Sequence, residues 1–600
     1  MATEPVFFHR GISFDRRSAL QEPGYLKTCE NISFETEGVQ TLRPHFSALN
    51  TTPLSAVHSL KAFQGLVIAG NSTKLSANSG VGDFTTLYSA FANSIWNFKE
   101  YKDFLSGVNG TDFILVDSFK NVYPARIPNP TASPTLTASG TAGTPNGNYM
   151  GYVSFLIAFP NGHTYETGLS PVSANVNPVS KKIDWTAIPV STYAAYYGTA
   201  PTITRRLYRG PGTGGTLTAI YWVADIADNT TTTYADNISD ADLQVSTISY
   251  VDIYGPPPVT RYIEWHYGRA FMIEEDYPHR LWWSEAVADL TATVNESRFP
   301  IATIDTSWDD LRVAGFQQCV PQGLVAWGIN LYIPLQQTWI RKQGNDPTTW
   351  SYKKTYSRYG IGAPYTVDLS NKPGGIIGVT NPEFGEPGIA LFDGQSSSIF
   401  SSPKLDYIFN HDMNLDQIAK CRGKVSGNYY HLLYPSGSNT EPDKYLSIDL
   451  RRYPDIRVAY WTDLNGQSLT DPRSTKNFYI GGSDGYVRSK DSTGTTSCLI
   501  ETHDLVGGEG KLVTEYKTWN QLKYALNGTL KLEVYIDDAL QKWPDGSTSK
   551  TLTGTTEALQ VIQSLPQNWQ GYRLKLKITG TDLQSLELYS PWVLSLELTK

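Results

Sequence analysis

Runs of carboxylates are the residues in this sequence with the clearest potential for chemistry. Hydrolysis of a glycosidic bond needs two carboxyl groups that face each other across the sugar. The candidates are Glu274-Glu275-Asp276 and Asp309-Asp310. Nothing in their spacing pairs one run with the other, and acidic runs of this kind are usually solvated loops. The sequence therefore predicts no glycosidase site.

Two further positions come close to known catalytic patterns. His266 lies in the aromatic stretch EWHYGR, where a single histidine is more often a packed or capping residue than a proton carrier. Ser483-Asp484-Gly485 approaches the repeated turn of sialidases but lacks its spacing and its tryptophan, so it predicts an ordinary turn. HExxH and Walker-type motifs are absent from the sequence. We expect no catalytic residue and no enzyme activity.

Three aspartates lie close enough together in sequence to suggest a calcium site. They are Asp236, Asp240 and Asp242, and their spacing is not that of an EF-hand loop. Aspartates in such stretches more often accept hydrogen bonds from nearby backbone amides. We therefore expect turn caps and no metal or other cofactor, with ion binding as the alternative.

One basic and aromatic stretch has the composition of a surface that binds single-stranded nucleic acid. Its members are Trp339, Arg341, Lys342, Trp350, Tyr352, Lys353 and Lys354. Lysines and arginines also lie beside the packed aromatics of ordinary strands, and the whole chain has a net charge of −8. We expect packed aromatics beside solvated charges, since proteins that bind nucleic acid through a large surface are usually basic.

Length and composition indicate the number of domains and the fold class that position these residues. A chain of 600 residues exceeds the size of a single core, so we expect two to four domains. Aromatic residues make up 12% and the chain has 50 Gly and 35 Pro, which is typical of all-β proteins. No run of about 18 apolar residues suggests a membrane helix. Cys29, Cys319, Cys421 and Cys498 lie far apart, so we expect free buried thiols.

Repeated hairpins organise most of the chain. Residues 321–340, PQGLVAWGINLYIPLQQTWI, contain three short apolar strands with Gly-Ile-Asn turn chemistry between the first two. Similar units recur at residues 65–75, 375–400 and 477–487. One hairpin cannot bury its own apolar face, whereas several arranged around an axis can. This pattern predicts a β-propeller of six or seven blades.

Changes in composition divide the chain into four segments. Residues 1–130 hold an N-terminal segment and the first blades, and residues 131–255 read as an inserted immunoglobulin- or fibronectin-like β-sandwich. Residues 256–497 supply the remaining blades, and residues 498–600 alternate apolar and charged side chains as in an antiparallel β-sandwich. We expect the propeller to fold without the insert.

The order of several weak motifs resembles that of the tail-nozzle proteins of short-tailed bacteriophages, also called tubular tail protein B. The first motif is Gly24, Asn31, Phe34, Gly38 and Arg43-Pro44. The second, in the insert, is Glu166, Ser170-Pro171, Arg206 to Arg209, Tyr234, Asp236, Ser239-Asp240 and Leu243. The third is Pro257-Pro258, His266, Gly268-Arg269, Leu281 and Ser284. The likeness by motif spans roughly residues 20 to 290.

The resemblance implies a structural virion protein that assembles in the host cytoplasm and forms the terminal nozzle of the tail. It implies a homo-hexameric ring below an adaptor ring attached to the portal, with tail fibres docked nearby. DNA would pass through the lumen without sequence-specific binding. We expect a neutral to acidic lumen that lies between subunits, because a basic wall would hold the phosphates.

Two other classes of protein stay open. A receptor-binding or polysaccharide-degrading phage tail protein should bring carboxylates together in a cleft. A glycan-binding propeller lectin should repeat an aromatic pocket in each blade.

Overall fold

The structure is a computed structural model of the chain. It describes residues 2–13, 21–22, 24–36, 38–101, 103–215, 217–245, 249–250, 254–255, 257–284, 299–300, 308–315, 320–464, 466–471, 478–491, 493–506 and 515–598. These residues are organised in β-strands, with a few helical turns. The helical turns are Asp240–Gln244 (α), Leu311–Ala314, Pro347–Thr349, Pro364–Thr366 and Leu415–Lys420 (3-10), and Ile408–Asp412 (π). The prediction of an all-β fold is confirmed.

Six four-stranded antiparallel sheets, together with four strands of the large mixed sheet, form the seven blades of a β-propeller in the described part of the chain. The first three blades are Val57–Phe63, Leu66–Asn71, Lys74–Asn78 and Thr85–Tyr88; Asn97–Tyr101, Phe104–Val108, Phe113–Asp117 and Val122–Pro124; and Thr260–His266, Arg269–Glu274, Arg280–Trp283 and Trp308–Asp310. Blades four and five are Val325–Trp327, Asn330–Pro334, Trp339–Gln343 and Ser351–Lys354; and Asp368–Asn371, Gly374–Val379, Ile389–Phe392 and Ser397–Ile399. Blades six and seven are Arg422–Ser426, Tyr429–Tyr434, Lys444–Asp449 and Arg457–Tyr460; and Gly466–Thr470, Tyr479–Gly482, Val487–Asp491 and His45–Ala48.

The propeller closes through a strand from the N-terminal part of the chain. His45–Ala48 pairs with Val487–Asp491 and completes blade seven. The first strands of blades seven and one also meet, since the Ser468 hydroxyl donates to the Val57 carbonyl oxygen at 2.7 Å. The predicted propeller is confirmed, and the described residues form seven blades, the higher of the two expected numbers.

Blade four contains the hairpin unit of residues 321–340 and follows the predicted pattern. Its tight reversal places Gly328 at φ 59°, a left-handed conformation that glycine adopts without strain. The side chain of Trp339 is 1% exposed and stacks on the ring of Phe392 in blade five, with 4.3 Å between centroids. This aromatic pair joins two neighbouring blades.

The segment between blades two and three forms two packed sheets. The first sheet is Thr135–Asn146, Val179–Thr186 and Tyr234–Asp236. The second is Thr164–Glu166, Tyr149–Ala158, Thr202–Pro211, Ile220–Ile226 and Ser249–Tyr250. A further two-stranded sheet pairs Tyr254–Gly255 with Phe299–Pro300.

The core of this insert is continuous with the packing of the neighbouring blades. Phe155 and Trp185 of the insert belong to the same buried cluster as Phe104 and Tyr123 of blade two and Met272 of blade three. Removing the insert would therefore expose apolar side chains of the propeller. The expectation that the propeller folds without the insert stays a prediction, and the shared core indicates that such a propeller would be less stable.

The C-terminal domain is built from both ends of the chain. Its C-terminal strands are Thr496–Thr502, Lys517–Ile536, Ala539–Leu540, Lys550–Ser564, Gln570–Gly571, Leu574–Leu583 and Glu587–Leu598. Its N-terminal strands are Ala2–Val6, Gly11–Ile12, Tyr25–Glu30, Ile32–Thr36 and Val39–Leu42. The division drawn from composition grouped the first 130 residues together, whereas the described strands between residues 2 and 42 belong to the sheet of this domain and the blade strands of that segment begin with His45–Ala48.

The C-terminal domain shares one continuous sheet with blade six. Glu30 pairs in parallel with Tyr460, the last residue of that blade. Beyond this bridge, the backbone N–H of Asn31 donates to the Tyr460 carbonyl oxygen at 2.7 Å. Backbone hydrogen bonds therefore connect the propeller to the C-terminal domain.

Candidate functional site

The first strands of the blades surround a cavity on the propeller axis. Its volume is about 810 Å³, which is within the range of small-molecule sites, roughly 300–1,000 Å³. Solvent reaches its wall, since the side chain of Glu100 is 47% exposed. This cavity is the strongest candidate site in the described part of the molecule.

Three ion pairs cross the junctions between blades in this wall. Lys61 of blade one lies 2.6 Å from Glu100 of blade two. On the same strand as Glu100, Lys99 lies 2.5 Å from Glu264 of blade three. On the other side of the axis, Lys424 of blade six lies 2.9 Å from Asp368 of blade five. These six side chains neutralise one another, and the pairs link the innermost strands of neighbouring blades.

Two further basic side chains in the wall make hydrogen bonds within the fold. The guanidinium of Arg422 donates to the carbonyl oxygens of Lys420 and Cys421 at 2.6 and 2.9 Å and lies over the ring of Tyr365. His58 is bound through its ring nitrogens to the Ser59 hydroxyl and the Ser72 carbonyl. Burial lowers the pKa of both groups. Neither side chain is placed as a nucleophile or as a general base.

Blades four and five add aliphatic side chains to the wall. Leu324 and Val325 of blade four and Val367 and Leu369 of blade five line it. The rings of Tyr262 and Tyr365 complete the lining between the apolar and the charged parts. The cavity is therefore amphipathic, with paired charges at blades one to three and again at blades five and six, and aliphatic groups at blades four and five.

The predicted carboxylate candidates do not converge. Glu274 accepts hydrogen bonds from the Trp282 indole and the Arg280 guanidinium, and Glu275 pairs with Arg261. Asp309 accepts a hydrogen bond from the Tyr352 hydroxyl at 2.6 Å. Each carboxylate is thus engaged with its own neighbours.

The other two carboxylates of these runs, Asp310 and Asp276, do not face another carboxylate of the runs either. Asp310 caps the turn that begins at Leu311 and pairs with Arg312, and Asp276 is exposed on a loop. The two runs therefore make no carboxylate pair of the kind that glycoside hydrolysis needs.

His266 is a buried packing residue. Its ring contacts Tyr267 and Phe271. Burial, with a further contribution from Lys342, lowers the pKa of His266 to about 4. At neutral pH the ring is uncharged and packed, as the sequence predicts.

The three aspartates of the insert stabilise its sheets. Asp236 is buried and lies 2.7 Å from the Arg209 guanidinium, which is within 3.6 Å of Asp240. Burial raises the pKa of Asp236, and Arg209 opposes this shift. Asp242 accepts a hydrogen bond from the hydroxyl of Ser239, the residue that caps the short helix. Within the described ranges no group of three His, Cys, Asp or Glu side chains could hold a metal ion.

The basic and aromatic stretch of blade four is partly internal. Lys342 is 1% exposed, and its ammonium lies 3.7 Å from the centroid of the Trp350 ring. Burial lowers the pKa of Lys342 to about 7. Trp339 is also buried, whereas Lys353 and Lys354 are exposed on the outer strand. A buried lysine and buried tryptophan cannot stack on the bases of a nucleic acid.

One catalytic spacing was missed by the sequence reasoning. Gly481, Ser483 and Gly485 have the GxSxG spacing of serine hydrolases. That motif requires a strand, a sharp turn and a helix. Here the turn joins the antiparallel strands Tyr479–Gly482 and Val487–Asp491, and Asp484 pairs with Arg488. Ser483 therefore lies in an ordinary hairpin turn.

The described cysteines are free and buried, as the sequence analysis predicts. Cys29, Cys421 and Cys498 are free and buried, and Cys319 lies outside the described residues. Among the described segments, no helix has the length and apolar character needed to cross a bilayer.

The axial ion pairs were not found by sequence reasoning. The available signal was a lysine within the first strand of several blades, as in Lys61, Lys99 and Lys424. Sequence alone does not say which strands face the axis, so these lysines carried no prediction.

Comparisons with known proteins add no argument about this chain. No family model matches the chain, and no curated protein is similar in sequence. The WD40 domain of Pan2 from Neurospora crassa is 7% identical, with 74% of this chain and 95% of that one covered at a TM-score of 0.24. PorZ, a surface component of the type-IX secretion system of Porphyromonas gingivalis, is 9% identical, with 85% and 82% covered at a TM-score of 0.19. TM-scores this low support no function for this chain.

Proposed function

We propose that this chain is a structural virion protein that forms the terminal nozzle ring of a short phage tail. In this role it is a conduit for the genome and has no catalytic activity. The observation that carries the proposal is the placement of the residues on which the resemblance to tail-nozzle proteins rests. They make hydrogen bonds and ion pairs that connect structural elements of the fold.

Two residues of the first motif connect the propeller to the C-terminal domain through hydrogen bonds. Asn31 is buried with φ 58°, and its side chain donates to the Thr462 hydroxyl at 2.7 Å. The Arg43 guanidinium donates to the Asn31 side-chain oxygen at 2.7 Å and to the Thr462 carbonyl at 3.1 Å. Thr462 follows blade six directly, so these two motif residues bind both domains.

Residues of the other two motifs make similar contacts within the insert and within blade three. In the insert, the Tyr208 hydroxyl donates to Glu166 at 2.6 Å, and Arg206 pairs with Glu166 at 3.0 Å. In blade three, Arg269 donates to the Ser284 carbonyl at 2.8 Å. Motif residues with structural contacts and no shared cleft favour a structural role over catalysis.

The charge pattern of the C-terminal sheet suits a wall past which DNA moves. Lys27 lies 2.9 Å from Glu501, and Lys577 lies 3.0 Å from Glu533. Glu501 and Lys577 are opposite each other in register, so the signs alternate across four strands. Such a face releases few counterions on contact with phosphates and does not hold DNA.

The propeller axis is not the DNA path in this proposal. Ion pairs between neighbouring blades line the axial cavity, and its volume is that of a small-molecule site. The conduit therefore lies between subunits, and a heterologous interface that closes into a ring supplies it. An adaptor ring above and fibres at the side remain the partners that the resemblance implies.

Electron microscopy of the particle that contains this chain tests the proposal. We expect a ring of several copies with a central lumen whose wall is neutral to acidic. A trimeric spike without a lumen, or a lumen lined by rings of Lys and Arg, would contradict it.

The rival hydrolase is tested separately by incubating the purified chain with capsule or lipopolysaccharide. We expect no release of reducing sugar. Steady release that a single carboxylate substitution abolishes would favour the polysaccharide-degrading alternative over the nozzle.

A further inference from the structure

The axial cavity has a chemistry that the nozzle role does not use. Its wall combines three ion pairs with aliphatic and tyrosine side chains of blades three to five. A cavity of this size with a few polar groups is a common form of ligand site. The question is which ligand its wall would accept.

The ion pairs disfavour a charged ligand. Lys61 and Lys99 each have a carboxylate within 2.6 Å. An anion such as phosphate that contacts either lysine also comes close to the carboxylate paired with it, and a cation that contacts the carboxylate comes close to the lysine. Attraction to one member of the pair is offset by repulsion from the other, so net charge on the ligand brings no gain.

The same pairs retain hydrogen-bonding capacity for a neutral ligand. An ammonium group has three N–H donors, and a carboxylate has about four acceptor positions. Lys99 uses one donor on Glu264, and Glu264 also accepts from the Trp265 backbone N–H. A hydroxyl group can accept from such a lysine and donate to such a carboxylate without separating them. Several adjacent hydroxyls would use several of these positions at once.

The apolar part of the wall matches the other half of such a ligand. Leu324, Val325 and Leu369 offer aliphatic contacts, and Tyr262 and Tyr365 offer ring faces and edges. The C–H face of a sugar ring is apolar, whereas its rim carries hydroxyls. We propose that the axial cavity binds a neutral saccharide, with its hydroxyls on the ion pairs of blades one to three and a ring face on blades four and five.

This inference does not depend on the nozzle role, because it concerns one chain and one cavity. Saturation-transfer NMR and calorimetry with the full chain test it, with maltose and N-acetylglucosamine as neutral probes. Inorganic phosphate and N-acetylneuraminate serve as charged probes. We expect saturable binding of at least one neutral probe with a dissociation constant of about 1 mM or lower, and no competition by phosphate.

A double variant locates the binding. Lys61→Met with Glu100→Ala removes one half-exposed pair, whose loss costs little stability. The matched control is Lys27→Met with Glu501→Ala, which removes a similar pair from the C-terminal sheet. We expect at least a tenfold loss of affinity in the first variant, no loss in the second, and circular dichroism unchanged in both.

Three results would overturn the inference. One is the absence of binding of both neutral probes to the wild-type chain. Another is phosphate that binds in the cavity and displaces the sugar. The third is unchanged sugar binding in the Lys61→Met, Glu100→Ala variant, which would place the site elsewhere.

Discussion

The stacked pair of Trp339 and Phe392 allows a sharp test of how the blades are held together. Trp339 is 1% exposed, its ring is 3° from parallel to that of Phe392, and its indole N–H donates to the Tyr359 carbonyl at 3.1 Å. Replacement of a buried tryptophan by alanine costs about 3–5 kcal/mol. We expect a loss of this size in the free energy of unfolding of the Trp339→Ala variant.

A second variant at the same position separates the stack from the hydrogen bond. Trp339→Phe keeps an aromatic ring against Phe392 but lacks the N–H donor. The Tyr359 carbonyl also accepts from the hydroxyls of Ser357 and Ser397, at 2.8 and 3.2 Å, so it keeps partners. The lost hydrogen bond should therefore cost only about 1 kcal/mol, and the phenylalanine variant should be clearly more stable than the alanine variant.

Urea unfolding of the full chain, followed by far-ultraviolet circular dichroism, measures these differences. Tyr356→Ala is the matched control, because Tyr356 is 85% exposed at the end of the same blade and its loss should change stability by less than about 0.5 kcal/mol. An alanine variant as stable as the wild type would refute the packing argument. A phenylalanine variant as unstable as the alanine variant would refute the claim that the stack dominates.

Three further predictions follow from burial. Deletion of residues 131–255 should lower the melting temperature and expose apolar surface to a hydrophobic dye, because the insert and blades two and three share one core; an unchanged melting temperature would contradict this. Lys342 has its pKa lowered by burial from 10.5 to about 7, so the folded chain binds fewer protons there than the unfolded chain and stability rises between pH 7 and 10.5. Lys342→Met should remove that rise and be stabilising below pH 7, and identical pH profiles of the two chains would argue against a buried cation. Burial lowers the pKa of His431 from 6.5 to about 3, so stability should fall as pH falls from 6.5 to 3. His431→Leu should fall less steeply over that range in acid unfolding, and an equal slope would show that the ring titrates normally.

Local patterns in the sequence were enough to predict the blades. In residues 321–340 the alternation of apolar strands with Gly328 in the turn determines the hairpin, and its three strands pair with one another in sequence order. The same local logic gave the correct fold class and the range of blade numbers. It works because a blade is a meander in which consecutive strands pair.

Long-range pairing escaped prediction for a physical reason. Residues 2–6 pair with residues 592–596, and His45–Ala48 pairs with Val487–Asp491. Nothing in a short apolar strand indicates which distant edge it will join. The burial of Lys342 and the axial pair of Lys99 with Glu264 escaped for the same reason, since each depends on contacts between different blades.

The closure of blade seven by His45–Ala48 has a consequence for how the protein is made. A ribosome releases this strand early, but its partner Val487–Asp491 is synthesised more than 400 residues later. At about 5–20 residues per second, the strand waits on the order of 20–90 s for that partner. The strands before it wait still longer, for residues near the C-terminus. A chain truncated before residue 487 therefore lacks a closed propeller, and the sheet of the C-terminal domain is complete only once residues 592–596 have been made.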